Sequence, residues 1–587
     1  MDFLGLRTLT VMGDALKLIK ANRGIDLDLD AIPLDDAAAC DILTKGDTSG
    51  VFQLESEGIT KLVMDLRPEH FEDLIPLVAL YRPGPLGSGM VADFIDRRHG
   101  KKEVTYLHPI LEPILKDTFG VILYQEQVMQ IASAMGGFSL GQADLMRRAM
   151  GKKKESVLKA QRESFIQGSI NNGIEESIAN EVFDLLVYFA GYGFNKSHSA
   201  AYAYIAYQTA YLKAHYFPEF MAATMTSFMQ NMQKLTYYIN ACKKHNVKVL
   251  GPDINYSERS FAVQDDAIRF GLGGIKNVGD NAIDRLIRER NEHGLYTDIV
   301  DFCKRVDNRV VNKRLLESLI RCGAMDGFKE NRNQLLHMYE SAQAVGAKEQ
   351  KDAAMGTMSL FGDIEESVDF IPIPNVEDLS EDDKLKDEKE YTGFYITGHP
   401  LQGYAKELEG LFELGALVEN PEQYDGQTIT FGGLIENKSD RMTKRNEVMS
   451  ILRIEDYSGA ANVVAFPKVF SQSQQFLAVD MIVKVKGRVD ADEKGVQIIA
   501  DRIMPLKVNY SQAKHVAIHI YSQYDTPENS EALKRVLVNT AGSVPTSLYL
   551  HRQRKRINLP PNMCFDPSDE SIKAIEAILG EGSVEVQ

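Results

Sequence analysis

The sequence predicts a multidomain α+β protein, mainly α-helical in its first half and sheet-forming further on, and three observations carry that prediction. The chain has 587 residues, which at roughly 150 residues per domain leaves room for about four domains. Apolar residues and tyrosines recur at three and four in Ile178–Phe189 and in Ala200–His215, the period of an amphipathic helix. From Gln427 the period drops to two, the alternation of a half-buried strand. Hydrophobic residues at 44% and charged residues at 25% lie inside the globular range, which excludes wholesale disorder.

Taken in order, residues 1 to 245 read as helices broken by glycine loops. The Ala200–His215 helix should stop before Phe217-Pro218, because proline disfavours the helical conformation in the residue before it. Between Gly251 and Val345 shorter helices are punctuated by glycine hairpins. From Lys348 to Leu385 the chain is acidic, contains Ile371-Pro-Ile-Pro374 and lacks a sustained apolar period, so a linker is expected. Thr428–Ile435, Val448–Ile454, Ala461–Ala465, Met481–Val489 and Gly495–Ile503 read as five short strands with glycines where a sheet would bend. That pattern predicts a small barrel of OB type. The rest mixes a strand at His515–Tyr521 with helices at Asn529–Asn539 and Ser571–Leu579, a compact αβ module without a catalytic signature.

Composition narrows the function. Lys plus Arg is 66 and Asp plus Glu is 83, a net charge of −17, which argues against a histone-like coat for nucleic acid. It does not argue against a nucleic-acid enzyme, since a local basic channel sets the relevant field. Cys40, Cys242, Cys303, Cys322 and Cys564 are scattered, with no CxxC pair. Neither a disulfide framework nor a thiolate zinc site is expected, and a reducing compartment fits. The start, Met-Asp-Phe-Leu-Gly-Leu-Arg, lacks a signal peptide's basic region and apolar core, and no run of eighteen apolar residues occurs. The expectation is a soluble, cytoplasmic protein with no membrane association.

Three glycine- and base-rich segments stand out. In Tyr81-Arg-Pro-Gly-Pro-Leu-Gly-Ser-Gly89 prolines stiffen a loop, glycines allow close backbone approach, and Arg82 offers phosphate a planar donor fork. A rigid turn with a surface arginine reads the same residues as well. From Leu145 to Arg162, seven basic residues (Arg147, Arg148, Lys152, Lys153, Lys154, Lys159, Arg162) face one acid, Glu155. Such runs are usually solvated helix faces; the alternative is a wall for a nucleotide or nucleic-acid backbone. In Gly191-Tyr-Gly-Phe-Asn-Lys-Ser-His-Ser-Ala-Ala-Tyr202 a glycine loop enters a helix capped by Asn195 or Ser197. Lys196 and His198 then lie at the positive end of the dipole, where free backbone N–H groups point at anions. Together the three segments point to one large phosphate site assembled from several helices.

A fourth segment differs. Gly274-Ile-Lys-Asn-Val-Gly279 followed by Asp280–Arg290 looks like a helix-hairpin-helix element, whose tight hairpin offers backbone N–H groups to a DNA phosphate without reading sequence. Asn277 replaces the usual first hairpin glycine, a mild departure because asparagine tolerates a positive φ. Gly279 is expected to need a positive φ as well. A second copy is expected over Leu315–Arg321, Cys322-Gly-Ala-Met325 and Asn331–Val345.

Asp2-Phe-Leu-Gly-Leu6, Val51-Phe-Gln-Leu-Glu55, Arg82-Pro-Gly-Pro85, Leu123-Tyr-Gln-Glu-Gln127, Arg147-Arg-Ala-Met-Gly-Lys-Lys153 and Gly193-Phe-Asn-Lys-Ser-His-Ser199 occur in that order. They resemble the alpha-subunit family of bacterial DNA polymerase III, the C-family replicative polymerases, and the resemblance covers essentially the whole chain. It implies a palm remnant at 1–8, fingers at 9–245, a tandem helix-hairpin-helix region at 246–345 and a linker with a clamp-binding peptide at 346–420. An OB domain at 421–506 and a C-terminal clamp-loader-binding domain at 507–587 complete it. Of three metal-binding palm aspartates, only the third has a counterpart, Asp2, so the two-metal Mg²⁺ site is only partly encoded here. Asp26, Asp28, Asp30, Asp35 and Asp36 read as solvated loop acids.

By the same resemblance, Arg147 or Arg148, His198 and Lys196 contact the triphosphate of an incoming deoxynucleotide, and Arg82 shares their surface. Lys152, Lys153, Lys276, Asn277, Val278 and Gly279 contact primer-template DNA. Thr357-Met358-Ser359-Leu360-Phe361 resembles the sliding-clamp peptide, with Thr357 in place of its usual glutamine and Leu360-Phe361 as the apolar anchor. The implied partners are DNA, deoxynucleoside triphosphates, the sliding clamp, a clamp-loader subunit and other holoenzyme subunits. The implied activity is template-directed extension of a primer 3′ end, with the isolated chain expected to be inactive. A reading of another class is a non-catalytic DNA- and clamp-binding fragment. A gene fragment, a truncated chain and half of a split gene all fit the start at Met1. A P-loop enzyme is excluded by the absence of GxxxxGK[ST].

Overall fold

The computed structural model describes residues 5–87, 89–151, 155–190, 193–354, 371–419, 422–443, 445–492, 495–506, 515–553, 555–580 and 582–586. The chain divides into two compact units. The first comprises residues 1–274 and 279–287, the second 275–278 and 288–587.

Helices build the first unit. Lys196–His215 is its axis: Ala203, Ala206 and Ala210 recur at three and four and are fully buried, so their missing bulk lets Leu74–Leu80 and Ala37–Thr44 pack close. Two of its buried polar groups find partners. Lys213, with a side chain 0% exposed, donates its three protons to the Asp47 carbonyl at 2.9 Å, the Asp47 carboxylate at 2.6 Å and Ser49 Oγ at 2.7 Å. Gln208 donates to the Leu29 carbonyl at 3.1 Å. The helix ends at His215 and Phe217–Ser227 begins one residue later with Pro218 in its first turn. Proline therefore both stops one helix and starts the next.

A second layer of the same unit consists of Gln125–Gly136, Leu140–Gly151, Glu155–Asn171 and Glu176–Ala190. They close on a core that includes Val128, Ile131, Met135, Phe165, Phe183 and Leu186. Gly168 is required at their closest crossing, because a Cβ there would sit 2.0 Å from the Gly136 carbonyl oxygen. Beyond them, β1 (Val249–Leu250), β2 (Ala262–Gln264) and β3 (Ala267–Arg269) form a small sheet in the order β1-β3-β2, a departure from the helices expected there.

In the second unit, Ile299–Arg305, Lys313–Arg321 and Arg332–Ala354 follow the hairpin. The expected second copy is realised as Lys313–Arg321, a turn with Gly323 at φ +80°, and Arg332–Ala354.

The stretch read as linker is partly folded. The Arg332 helix runs to Ala354, and Glu381–Thr392 is a helix packed on Lys313–Arg321. Its anchors are polar: Arg332 pairs with fully buried Glu388 at 3.0 Å, and Arg321 with Asp387 at 3.0 Å. An ion-paired helix leaves little apolar period to read, which is why the sequence suggests a linker. Residues 355–370 lie outside the described set.

The barrel forms as expected. Strands β4 (Thr428–Met442), β5 (Val448–Glu455), β6 (Ala460–Ala465), β7 (Ile482–Asp492) and β8 (Gly495–Pro505) close in the order β4-β5-β6-β8-β7. Phe431, Leu452, Ile454, Val463, Val483, Val485 and Ile498 fill it. The C-terminal module contains β9 (Val516–Ile520), β10 (Ala541–Val544), β11 (Thr546–Leu550), β12 (Lys555–Asn558) and β13 (Val584–Val586). Its sheet order is β12-β11-β9-β13. Pro527–Asn539 and Asp569–Leu579 cover one face through Leu533, Leu537, Ile575 and Leu579.

Candidate nucleotide and DNA interfaces

Arg82 and His198 meet at Phe194, and Lys196 lies over the ring of Tyr124, the residue bridged to Phe194. A parallel bridge joins Tyr124 to Phe194, with the Phe194 N–H donating to the Leu123 carbonyl at 3.1 Å and the Gln125 N–H to the Phe194 carbonyl at 2.8 Å. This fixes the glycine loop against the start of the Gln125–Gly136 helix. The Arg82 guanidinium lies 4.5 Å from the Phe194 ring centre, and its Nε donates to the Ala79 carbonyl at 2.9 Å. On another side of Phe194, the His198 ring stands edge-on at 5.4 Å and stacks on Tyr202 at 4.4 Å. Lys196 Nζ lies 5.5 Å from the Tyr124 ring centre and 3.9 Å from the Asp117 carboxylate. Lys196 and His198 are exposed, Arg82 is half-buried, and burial lowers the Arg82 pKa from its ordinary value.

One part of the expected site is occupied by the chain itself. Asn195 is the cap, its Oδ1 accepting from the His198 N–H at 2.8 Å. Glu126 accepts from Asn195 Nδ2 at 2.9 Å and from the Lys196 N–H at 3.0 Å. A carboxylate already sits at the positive end of this helix, so its backbone is not an open anion cradle. An arriving phosphate meets side-chain cations there. Glu126 belongs to the Leu123–Gln127 motif, and nothing in the sequence pairs it with a residue 70 positions away.

Arg147 and Arg148 sit apart from that cluster in sequence, on Leu140–Gly151, and both bind Asp144: Arg147 Nη2 and Arg148 Nε each lie 2.8 Å from it. Hydrogen bonding from Arg147 is the main cause that lowers the Asp144 pKa. Arg148 is 64% exposed and Arg147 22%, which makes Arg148 the more available of the two. Arg162 pairs with Asp184 at 2.8 Å. The basic run is thus partly neutralised locally, and Lys152, Lys153 and Lys154 lie outside the described residues.

At the hairpin, Asn277 adopts φ +66° as expected. Gly279 does not adopt a positive φ, and a Cβ there would meet open space; the conformational demand falls on Asn277 instead. Lys276 is not a free donor: its N–H donates to the Tyr391 carbonyl at 2.8 Å and its Nζ lies 3.2 Å from Glu390. Val278 is buried, and its N–H donates to the Ile275 carbonyl at 3.3 Å. Asn277 and Gly279 are exposed; the Asn277 Nδ2 donates to Ser318 Oγ at 3.2 Å, and among the described residues neither backbone N–H has a backbone acceptor. Asp2 and the Thr357–Phe361 peptide lie outside the described residues.

Three segments match known domain families. Residues 8–173 match the bacterial DNA polymerase III alpha subunit finger domain, 246–335 a helix-hairpin-helix motif, and 429–506 an OB-fold nucleic acid binding domain. The DNA polymerase III subunit alpha of Escherichia coli K12 is 39% identical across 100% of this chain. Along its whole length this chain is homologous to the DNA polymerase III alpha subunits. It matches their C-terminal part and spans about half the length of the curated relatives, 52% of the E. coli subunit. The alpha subunits of Pseudomonas aeruginosa, 40% identical over 99% of this chain, and Haemophilus influenzae, 39% identical over 100%, are each covered to 52% as well.

Among the described residues, no group of three or more histidine, cysteine, aspartate or glutamate side chains is placed to hold a metal ion. Likewise no described helix is long and apolar enough to cross a membrane.

Proposed function

We propose that this chain supplies the nucleotide-contacting and DNA-contacting parts of a bacterial replicative DNA polymerase, which extends a primer 3′ end under template direction. The observation that carries the reading is the placing of Arg82 and His198 on Phe194, and of Lys196 on the bridged Tyr124, in a chain homologous to such subunits throughout. In this reading Lys196 and His198 bind the triphosphate. Arg82, set over the Phe194 ring, adds a fixed cation, and Arg148, with Arg147, lines the same route from Leu140–Gly151. Such groups lower the barrier by neutralising charge that develops as pyrophosphate leaves, without reorganising.

The hairpin N–H groups of Asn277 and Gly279 take up DNA phosphates without sequence preference. The Thr357–Phe361 peptide binds the sliding clamp, and residues 507–587 bind a clamp-loader subunit. Asp2 is the one Mg²⁺ ligand the reading assigns to this chain. On that assignment the 587 residues alone do not extend a primer.

Photolabelling tests the triphosphate assignment. The purified chain, illuminated with 8-azido-dATP, should be labelled on peptides containing Arg82 or Gly193–Tyr202. Pyrophosphate should compete and a free nucleoside should not. Labelling elsewhere, or competition by the nucleoside alone, would move the site.

A further inference from the structure

The C-terminal sheet has two unlike faces. Val516, Ile518 and Ile520 of β9 turn toward the helices, so Ala517 and His519 turn the other way. Register places Tyr549 beside His519 and Ser547 beside Ala517 on β11, with Arg556 and Asn558 beside Tyr549 and Ser547 on β12. The outward face therefore carries rings and cations rather than aliphatic side chains. His519 and Tyr549 lie parallel at 5.0 Å, Tyr521 and His551 at 4.5 Å, and His519 Nδ1 is 3.0 Å from His551 Nε2. The Arg556 guanidinium sits 5.3 Å from the Tyr549 ring centre. Tyr521 is 40% exposed, and His551, Arg552, Lys555 and Arg556 are exposed.

Charge separates this edge of the sheet from the rest of the chain. Arg552, Lys555 and Arg556 are exposed beside the rings, and no acid occurs from Ala532 to Phe565, in a chain of net charge −17. One acid enters the ring cluster from the other edge: Glu585 on β13, 3.5 Å from His519 Nε2. A row of mutually stacked rings on a sheet face, with the Arg556 guanidinium at its margin, matches one polymer chemistry in particular. Unpaired bases stack on the rings while cations follow the phosphates. Duplex DNA, with its bases stacked internally, cannot use the rings.

We infer that the outward face of the β12-β11-β9-β13 sheet binds single-stranded nucleic acid, with Tyr521, Tyr549, His519 and His551 stacking bases and Arg552 and Arg556 holding phosphates. This surface is separate from the hairpin and from the barrel, and its test is site-resolved for that reason.

The full chain is irradiated with a single-stranded oligodeoxynucleotide containing 5-iododeoxyuridine, and the crosslinked peptides are mapped. Crosslinks should fall on the peptides bearing Val516–Tyr521 and Thr546–Asn558. Tyr549→Leu should raise the oligonucleotide concentration needed for half-maximal labelling there about tenfold, whereas Tyr549→Phe, which keeps the ring, should not. An abasic oligomer of equal length, or poly-glutamate, should compete poorly. Absence of labelling on these peptides while other parts of the chain crosslink would overturn the inference. So would equal competition by the abasic oligomer or poly-glutamate, or equal labelling by duplex.

Discussion

Replacing Arg332 with alanine should loosen the Glu381–Thr392 helix by an amount the local geometry sets. Arg332 and Glu388 have side chains 4% and 0% exposed and meet at 3.0 Å. Breaking a buried pair costs about 3–5 kcal/mol, because the partner is left charged in a poor solvent. Glu388 keeps three other donors, the N–H groups of Ile396 at 3.0 Å and Thr397 at 2.9 Å and Thr397 Oγ at 3.0 Å. The loss therefore falls at the low end, about 3 kcal/mol. Whole-chain unfolding would blur it, since several domains do not melt as one. Hydrogen exchange followed by mass spectrometry resolves it: amides of Glu381–Thr392 should exchange about a hundredfold faster, at 1.4 kcal/mol per factor of ten. Amides in β4–β8 should not change. Replacing Arg309, which is 82% exposed and paired with nearby Asp307, should leave both regions as they are. Less than a threefold change in Arg332→Ala would refute the claim that this pair anchors the segment.

Burial pushes the Asp73 carboxyl up, but hydrogen bonds from Arg98 and from the Glu69 and His70 N–H groups outweigh it and hold the group below its ordinary 3.8. Its stabilisation is present above that value and lost as pH falls through the lower, folded value, so the stability gap between the wild type and Asp73→Asn should narrow below about pH 4. Thermal denaturation across that range checks it. Asn277→Val should cost about 1–2 kcal/mol through its positive φ, Asn277→Gly should be tolerated, and Gly279→Ala should change little; urea titration of each variant tells them apart. Binding of duplex DNA through the hairpin should weaken steeply with added salt and show no sequence preference, as measured by fluorescence anisotropy. Deleting Leu360 and Phe361 should abolish binding to a sliding clamp while sparing extension of short primers by a full-length polymerase, and surface plasmon resonance on immobilised clamp reads the first half directly.

What the sequence disclosed follows from which forces leave a pattern. The barrel was legible because Phe431, Leu452, Val463, Val485 and Ile498 alternate with outward residues at period two. The Lys196–His215 helix was legible for the equivalent reason at three and four. Glu381–Thr392 was not, because Asp387 and Glu388 hold it through arginines far away in sequence. The same holds at the candidate site. Lys196, His198 and Arg82 could be nominated from local chemistry, but Glu126 at the helix start is a pairing across the fold, and no local pattern announces it. The hairpin divides in the same way: the positive φ at Asn277 was readable from residue type, whereas occupation of Lys276 by Tyr391 and Glu390 depends on a helix read as linker. Nothing in the sequence pattern singled out the basic stretch from His551 to Arg556, and only strand register shows that Arg556 shares a face with Tyr549 and His519.

The most direct test of the account is single-turnover nucleotide incorporation by a full-length polymerase carrying this sequence, with Lys196→Ala and His198→Ala compared with wild type. The account predicts a fall of about 10²–10³-fold in the incorporation rate at saturating nucleotide for each change, with primer-template affinity and melting temperature unaltered. Wild-type incorporation rates in both variants would contradict it.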